Sequence, residues 1–289
     1  MNSELRMGSI LLAALMACGL GACTTQEAQG GTGGTVPQGG NGGSTAVAGS
    51  TGATDPSKTD GVACLPPAGA LITDFTYVPT DPDAGAPVTK EVRFGNWGTT
   101  LTGGEFIYPE TGNWPLVSDV TQNNWHISGS VGTYSGLGLY VDNCSVIDAS
   151  AYKGLSFKIG GTVELGGTVT LEVATLEDTV TAEWKLAHGE TDVKPDAPGR
   201  CVPPASAANE WSQDVCVLPK KTIKVEATLT EQKVLWADIA GGKPQANVGE
   251  APHQIVGIRW ILPNPTGAGT TSPTPYKVDI ILDDLSFIP

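Results

Sequence analysis

The chain has 289 residues, 38 of them glycine, and a formal net charge of −14 at neutral pH. The N-terminal segment contributes nothing to that charge, because Glu4 and Arg6 cancel each other. So acidic a chain argues against nucleic acids and anionic lipid surfaces as partners, whereas a neutral ligand is compatible with it.

Residues 1–22 are predicted to be a lipoprotein signal peptide that is not part of the fold. Arg6 precedes an apolar run at residues 10–20, which is too short to span a bilayer. The segment ends in Leu20-Gly21-Ala22-Cys23, which resembles the lipobox of bacterial lipoproteins. This resemblance implies cleavage before Cys23, a diacylglyceryl group on its sulfur, and a further acyl chain such as palmitate on its nitrogen. The alternative is an ordinary secretory signal cleaved nearby, with release of the protein.

Residues 23–60 are predicted to be the lipidated cysteine followed by a disordered tether. The segment is rich in Gly, Thr and Ser, has no aromatic residue and shows no apolar period, so it cannot bury enough surface to fold. A flexible chain of this length has an end-to-end distance of roughly 30 to 35 Å. Residue 24 is threonine rather than aspartate, which by the lipoprotein resemblance favours the outer membrane. We expect the lipid chains to be the only membrane contact, with the protein facing the periplasm or the cell surface.

Residues 61–289 are predicted to form a single β domain. Apolar residues recur at every second position, the period of a strand with one buried face. The clearest runs are Leu137, Leu139 and Val141; Leu155, Phe157 and Ile159; Val169, Leu171 and Val173; and Val256, Ile258, Trp260 and Leu262. Glycine- and proline-rich segments separate these runs, and no stretch shows a convincing amphipathic helix, although residues 223–239 are ambiguous. This pattern predicts an all-β sandwich or jelly roll.

Four cysteines lie in this domain, and an exported protein carries them into an oxidising compartment. Two disulfides are expected, for which three pairings are possible. We favour Cys201 with Cys216, since the Pro-, Ala- and Asn-rich segment between them is a loop that needs closing, and this leaves Cys64 with Cys144. Closing a loop of that size contributes about 3 kcal/mol in the chain-entropy model. A zinc site is disfavoured, because no cysteine pair has CxxC spacing and the histidines lie far from the cysteines.

Several short motifs occur in an order that resembles the galactose-binding-like jelly rolls, which include the family 11 carbohydrate-binding modules. The motifs are LITDF (71–75), SGLGLYV (135–141), IDASAYKGLSFKI (147–159), LWADIAGG (235–242), IVGIRWIL (255–262) and VDIILDDLSF (278–287). The resemblance implies that the first and last strands run side by side, and that a polysaccharide binds along a concave face of aromatic and polar side chains.

The same resemblance implies a structural calcium near the ends of those two strands. Asp283 or Asp284, together with Asp74, could supply the oxygen ligands that this hard cation requires. The alternative is that the two adjacent aspartates flank a bulge or a strand end and accept hydrogen bonds from backbone amides.

Sugar binding requires aromatic faces for the apolar side of a pyranose ring and planar polar groups for its hydroxyls. Such residues occur opposite the predicted core positions and beside Gly or Asn in predicted loops. The candidate ligand-binding residues are Trp97, Trp125, Tyr140, Asp142, Glu172 and Arg259. For the charged members the alternative is a solvated sheet face, and for the tryptophans it is packing at an end of the sandwich. Trp236 and Trp260 are predicted to lie in the core.

We therefore expect a tethered, monomeric lipoprotein that binds a polysaccharide without cleaving it. A jelly-roll glycoside hydrolase or lyase is one alternative, although no close pair of acids lies on one strand face, and the nucleophile-elbow, metalloprotease and phosphate-loop motifs are missing. An adhesin or a structural envelope protein without glycan binding is the other alternative.

Overall fold

A computed structural model of the chain describes residues 63–67, 69–76, 93–94, 104–109, 113–120, 123–141, 145–190, 199–210, 212–265 and 274–289. All of these residues belong to one compact unit, Ser50–Pro289. The predicted signal peptide, Cys23 and the predicted tether lie outside the described residues.

Strands make up most of the regular secondary structure in the described part of the chain. In chain order the strands are β1 (Ala63–Leu65), β2 (Leu71–Thr73), β3 (Arg93–Phe94), β4 (Gly104–Tyr108), β5 (Leu116–Asp119), β6 (Trp125–Val131), β7 (Gly136–Tyr140), β8 (Ser145–Ile147), β9 (Gly154–Val163), β10 (Thr168–Thr175), β11 (Lys220–Lys224), β12 (Thr230–Leu235), β13 (Ile255–Ile261) and β14 (Tyr276–Ile288). The helical elements are α1 (Ala182–Ala187) and two 3-10 turns, Trp236–Asp238 and Val248–Glu250.

The strands form two sheets. Sheet A has the order β11-β10-β13-β7-β4-β3, with β8 also beside β13 and β1 parallel to β8. Sheet B has the order β12-β9-β14-β6-β5, with β2 beside the C-terminal part of β14. Apart from β1 with β8, the pairs among the described strands are antiparallel. The all-β jelly-roll sandwich predicted from the sequence is confirmed.

The core lies between the sheets, because each strand buries alternate side chains. Trp260 of β13 is fully buried and contacts Phe157 of sheet B edge to face, with ring centroids 5.4 Å apart. The Trp125 ring of β6 also packs edge to face against Trp260, with ring centroids 6.5 Å apart. The core positions predicted for Trp236 and Trp260 are confirmed, since they are 5% and 0% exposed.

The pairing of β2 with β14 agrees with the expectation that the first and last motifs lie side by side. Thr73 lies opposite Leu285, and the register shifts at the next residue pair. The ambiguous segment 223–239 is mainly strand but does contain one helical turn: it forms the end of β11, then β12, and then the 3-10 turn Trp236–Asp238.

One short α-helix is present where the sequence pattern indicated none. The hydroxyl of Thr181 caps α1 by accepting a hydrogen bond from the backbone N–H of Trp184 (3.2 Å). Its six residues are too few to show an amphipathic period, and packing stabilises them: Trp184 contacts a small cluster that includes Cys201 and Cys216. None of the helices in the described ranges has both the length and the apolar content that a bilayer crossing requires.

Candidate functional site

Two glycines form the floor of the outer face of sheet A. In β7 glycine alternates with leucine, and because the leucines are buried in the core, Gly136 and Gly138 face outward. Tyr108 of β4 lies opposite Gly136, and Phe106 lies opposite Gly138. A Cβ added to Gly136 would lie 2.4 Å from the Tyr108 hydroxyl oxygen, and one added to Gly138 would lie 2.6 Å from Cζ of Phe106. Both rings therefore lie across β7, in space that a side chain there would occupy.

Four aromatic rings make a continuous row on this face, which we call the aromatic row: Tyr134, Tyr108, Phe106 and Tyr140. Successive ring centroids are 5.5, 6.2 and 5.2 Å apart, and neighbouring rings are inclined by 23°, 23° and 35°. Tyr134 is 45% exposed and the other three rings are partly exposed. The two central rings lie across glycines, so no side chain of β7 separates them from the sheet.

An arginine and a glutamate lie beside the row. Arg259 of β13 is paired with Gly138 on one side and with Glu172 of β10 on the other. The Arg259 Cγ lies 3.0 Å from the position of a Cβ added to Gly138, so the arginine stem adjoins the tip of the Phe106 ring. Lys220 of β11 lies opposite Glu172 on its far side. The face thus places hydrogen-bond donors and an acceptor next to aromatic rings.

Glu172 is partly desolvated. Burial raises the pKa of its carboxyl above the ordinary value of 4.5, and the charges of Arg259 and Lys220 partly offset that effect. Its Oε2 atom is buried and finds no hydrogen-bond partner within the part of the chain that is described. A buried carboxylate oxygen without a partner is unfavourable, so a ligand hydroxyl that donated to it would relieve that cost.

The hydroxyls of Tyr108 and Tyr134 stay neutral at physiological pH. Burial raises the pKa of Tyr108 far above its ordinary value of 10. Burial and the nearby Glu172 carboxylate likewise raise the pKa of Tyr134. A neutral phenol both donates and accepts, which suits a sugar hydroxyl.

Three of the predicted ligand-binding residues, Tyr140, Glu172 and Arg259, lie on this face together. Their register explains it: Tyr140, Arg259 and Glu172 all occupy outward positions of adjacent strands. Two other predicted residues, Trp97 and Asp142, lie outside the described residues.

The prediction for Trp125 is wrong. Its neighbours Asn123 and Asn124 suggested an exposed loop, but Trp125 begins β6 and its side chain is 0% exposed. Its indole N–H donates to the Ser118 hydroxyl (2.8 Å), and its ring packs against Phe75 at 5.7 Å. A ring enclosed in this way offers no face to a ligand.

Sequence reasoning missed Phe106, Tyr108 and Tyr134. A usable signal was present: the segment GEFIY places two aromatics on one face of a strand, and GLGLY leaves the outer face of another strand bare. Only the pairing of β4 with β7 brings the two segments together.

The predicted calcium ligands lie where β14 passes from its pairing with β6 to its pairing with β2. Burial raises the pKa of Asp283, as do the charges of Asp284 and Asp74 nearby, and its Oδ1 accepts from the Asp284 backbone N–H (2.8 Å). Asp284 forms an ion pair with Lys158, and Asp74 accepts hydrogen bonds from Thr76. The register shifts after Asp283, so the pair does flank a bulge.

In the ranges described, no three His, Cys, Asp or Glu residues form a group that could hold a metal ion. The three carboxylates supply part of a calcium ligand set at most, and the calcium stays a prediction.

The predicted Cys201–Cys216 disulfide is confirmed, with the two Cα atoms 5.8 Å apart. Cys144 lies outside the described residues, so its pairing with Cys64 stays a prediction. The backbone is consistent with it, because β1, which contains Cys64, runs beside β8, which begins at Ser145.

Comparison with known proteins gave no matching family model and no matching curated sequence. Among solved structures, the chain is similar to the family 11 carbohydrate-binding module of the cellulosomal cellulase Lic26A-Cel5E of Clostridium thermocellum, at 12% identity over 73% of this chain and 94% of that one, with a TM-score of 0.36. The family 11 module from Clostridium thermocellum in complex with a β-1,3-1,4-mixed-linked tetrasaccharide matches at 13% identity over 64% of this chain and 88% of that one, with a TM-score of 0.36. An exo-β-agarase matches at 10% identity over 64% of this chain and 22% of that one, with a TM-score of 0.33. The structural neighbours of this chain thus include family 11 carbohydrate-binding modules.

Proposed function

We propose that this protein binds a polysaccharide on the outer face of sheet A, without cleaving it, and that a lipid on Cys23 holds it at the outer membrane. The observation that carries the proposal is the aromatic row, whose two central rings lie across Gly136 and Gly138. Arg259 and Glu172 lie beside this row.

The aromatic row supplies the apolar half of sugar recognition. Gly136 and Gly138 let Tyr108 and Phe106 lie across the sheet, so each ring has a face that the C–H side of a pyranose can cover. Rings that stood upright against bulkier neighbours would present only their edges. The row of four rings is extended, which favours a chain of sugars over a single one.

The polar half comes from the Arg259 and Glu172 pair. The guanidinium donates and the carboxylate accepts, so together they match neighbouring hydroxyls of a neutral sugar. Their charges cancel, and the chain as a whole is strongly acidic, so a neutral glycan meets less repulsion here than an acidic one.

Glycoside hydrolysis is the second candidate function. Its support is Glu172, whose pKa is raised by burial, as is common for a general acid. Hydrolysis requires a second carboxylate at the scissile bond as well. Within the described strands of this face, Glu172 is the only acidic residue at an outward position.

A pull-down experiment with a sugar-release assay tests the proposal. The purified domain is incubated with insoluble cellulose, xylan, β-1,3-glucan, mixed-linked β-1,3-1,4-glucan and peptidoglycan, and the supernatants are assayed for reducing sugar. Retention without sugar release supports the proposal, and sugar release supports the hydrolase. If none of the five glycans retains the protein, the proposal is wrong and an adhesin or structural role is favoured.

A further inference from the structure

The outer face of sheet A continues beyond the aromatic row, on the strands β13, β10 and β11. In these strands, as in β7, buried core residues alternate with residues that face outward. The outward positions of the three strands hold charged or polar residues, aliphatic residues or glycine, and none of them is aromatic. This part of the face therefore offers hydrogen bonds to a ligand but no ring for a sugar to cover.

One line of paired residues crosses these strands at the level of Phe106. Gly138 of β7 is paired with Phe106 on one side and with Arg259 on the other. Arg259 is in turn paired with Glu172, and Glu172 is paired with Lys220 of β11. We call Arg259, Glu172 and Lys220 the polar arm. Its inner end therefore adjoins the Phe106 ring, and its outer end lies on the last strand of this side of the sheet.

The polar arm leaves the aromatic row at about a right angle. Phe106 and Tyr108, the two central rings, lie two residues apart along β4, so the row follows the direction of the strands. The arm instead steps from strand to strand, and Lys220 lies three strands beyond β7, about 14 Å away at the usual strand spacing. A sugar chain that follows the rings thus passes the inner end of the arm and does not run along it.

The Lys220 ammonium is not engaged within the described part of the chain. β11 contains three lysines, and two of them are in ion pairs: Lys221 with Asp238 at 2.8 Å, and Lys224 with Glu226 at 2.8 Å. Lys220 is exposed and forms no ion pair with any described residue. Its three N–H donors are therefore available to a ligand on the outer face.

The three residues of the polar arm present donor, acceptor and donor groups in order. Arg259 and Lys220 can only donate, and the Glu172 carboxylate between them accepts through an Oε2 atom that has no partner in the described ranges. Arg259 and Glu172 are partly buried and Lys220 is exposed, so the arm opens toward solvent with distance from the rings. This arrangement suits a group with several hydroxyls that reaches sideways from a chain lying on the rings.

We propose that the polar arm binds a single-sugar branch of the polysaccharide, and that Lys220 is a further ligand-contacting residue, which donates to a hydroxyl of that branch. This inference rests on the proposed function and narrows its ligand to branched chains. The backbone sugars cover the rings of the aromatic row, and a branch on the unit over Phe106 extends along the arm. The branch is held by hydrogen bonds, because the arm has no aromatic residue.

Binding of matched oligosaccharide pairs by the full chain tests the inference. The members of a pair share a backbone and differ in single-sugar branches: cello-oligosaccharides and xyloglucan oligosaccharides, xylo-oligosaccharides and arabinoxylan oligosaccharides, and laminari-oligosaccharides and β-1,6-branched β-1,3-glucan oligosaccharides. Isothermal titration calorimetry measures each Kd. The branched member of at least one pair is expected to bind about tenfold more tightly, the gain from one hydrogen bond to a charged group.

Lys220→Met removes the ammonium group and keeps an unbranched stem. It is expected to weaken binding of the branched member about tenfold, with no change for the unbranched member or in the melting temperature. Lys233→Met is the matched control, because Lys233 is also an exposed lysine of an outermost strand but lies on the outer face of sheet B. Its affinities for both members are expected to equal those of the wild type.

Three outcomes would overturn the inference while the proposed function stands. The wild type binds an unbranched member but no branched member more tightly; or Lys220→Met keeps the preference for the branched member; or it loses affinity equally for both members, which would place Lys220 on the backbone sugars. If the wild type binds none of these oligosaccharides and none of the glycans in the pull-down, the inference and the proposed function fail together.

Discussion

Gly138 decides whether the Phe106 ring can lie across β7. No positive φ requires glycine at this position; what requires it is the space that the ring of the neighbouring strand occupies. The same holds for Gly136 beneath Tyr108. The candidate site thus depends on having no side chain at these two glycine positions as much as on the aromatic rings themselves.

We predict that Gly138→Ala weakens glycan binding by roughly threefold to tenfold while the fold is retained. The added Cβ would come within 2.6 Å of Phe106, so the ring must lift and lose part of its contact with the sugar. Gly69→Ala is the matched control, since a Cβ there meets nothing within 4 Å. Binding isotherms and thermal melts check both variants, and a Gly138→Ala protein with wild-type affinity would contradict the prediction.

We predict that binding weakens as pH falls through the raised pKa of Glu172. Burial raises the pKa of this carboxyl above its ordinary value of 4.5, so on acidification it becomes protonated at a higher pH than an exposed glutamate would. Protonation removes the charged acceptor, and the Kd is expected to rise. Measuring the Kd from pH 8 down to pH 4 checks this.

Glu172→Gln serves as the control for the pH series, because a glutamine at this position does not titrate. Its affinity is expected to be lower than that of the wild type at neutral pH and nearly independent of pH. A pH profile that stays the same in this variant would assign the effect to another group.

At the scale of elements, β14 organises sheet B and brings the acidic residues together. Its 13 residues pair with β9 and β6, and its C-terminal part also pairs with β2. The bulge after Asp283 interrupts the alternation, with Asp284 at a φ of 49°. This break lets two adjacent aspartates occur in an otherwise apolar strand.

We predict that calcium raises the melting temperature of the protein, since a dication would offset the repulsion among Asp283, Asp284 and Asp74. Melts in the presence of calcium and of a chelator, with Asp74→Asn as the comparison, measure the effect. The variant should respond less than the wild type. A wild-type melting temperature that is the same with chelator and with calcium would exclude a structural calcium.

For the whole molecule, the proposed role depends on where the chain is held. If residues 23–60 form the tether predicted from the sequence, the domain would stay within roughly 30 to 35 Å of its anchor, which would raise its local concentration near envelope-associated glycans. Lipidation at Cys23 would make that attachment permanent.

We predict that Cys23→Ala moves the protein from the detergent phase to the aqueous phase in a phase-partition experiment on cell extracts, because no acyl chain is then attached. Cys18→Ala is the control, because Leu15-Met16-Ala17-Cys18 is a second, weaker match to the lipobox, and this variant should stay in the detergent phase as the wild type does. A wild type that partitions into the aqueous phase would favour an ordinary secretory signal.

The sequence by itself determined the strands, much of the core and one disulfide of this protein. Period-two patterns are local, and each marks which side of a strand is buried wherever the strand lies. Trp260 and Trp236 were therefore placed in the core correctly, and Tyr140, Glu172 and Arg259 were placed on outward faces. The pattern failed at Trp125, because the residues that precede it are typical of a loop.

Only the tertiary structure decided which outward faces meet. Phe106 and Tyr108 join Tyr140 because β4 pairs with β7, and those strands are separated by 27 residues of chain. Pairing over that distance depends on how whole faces fit together in the core, which no local pattern records.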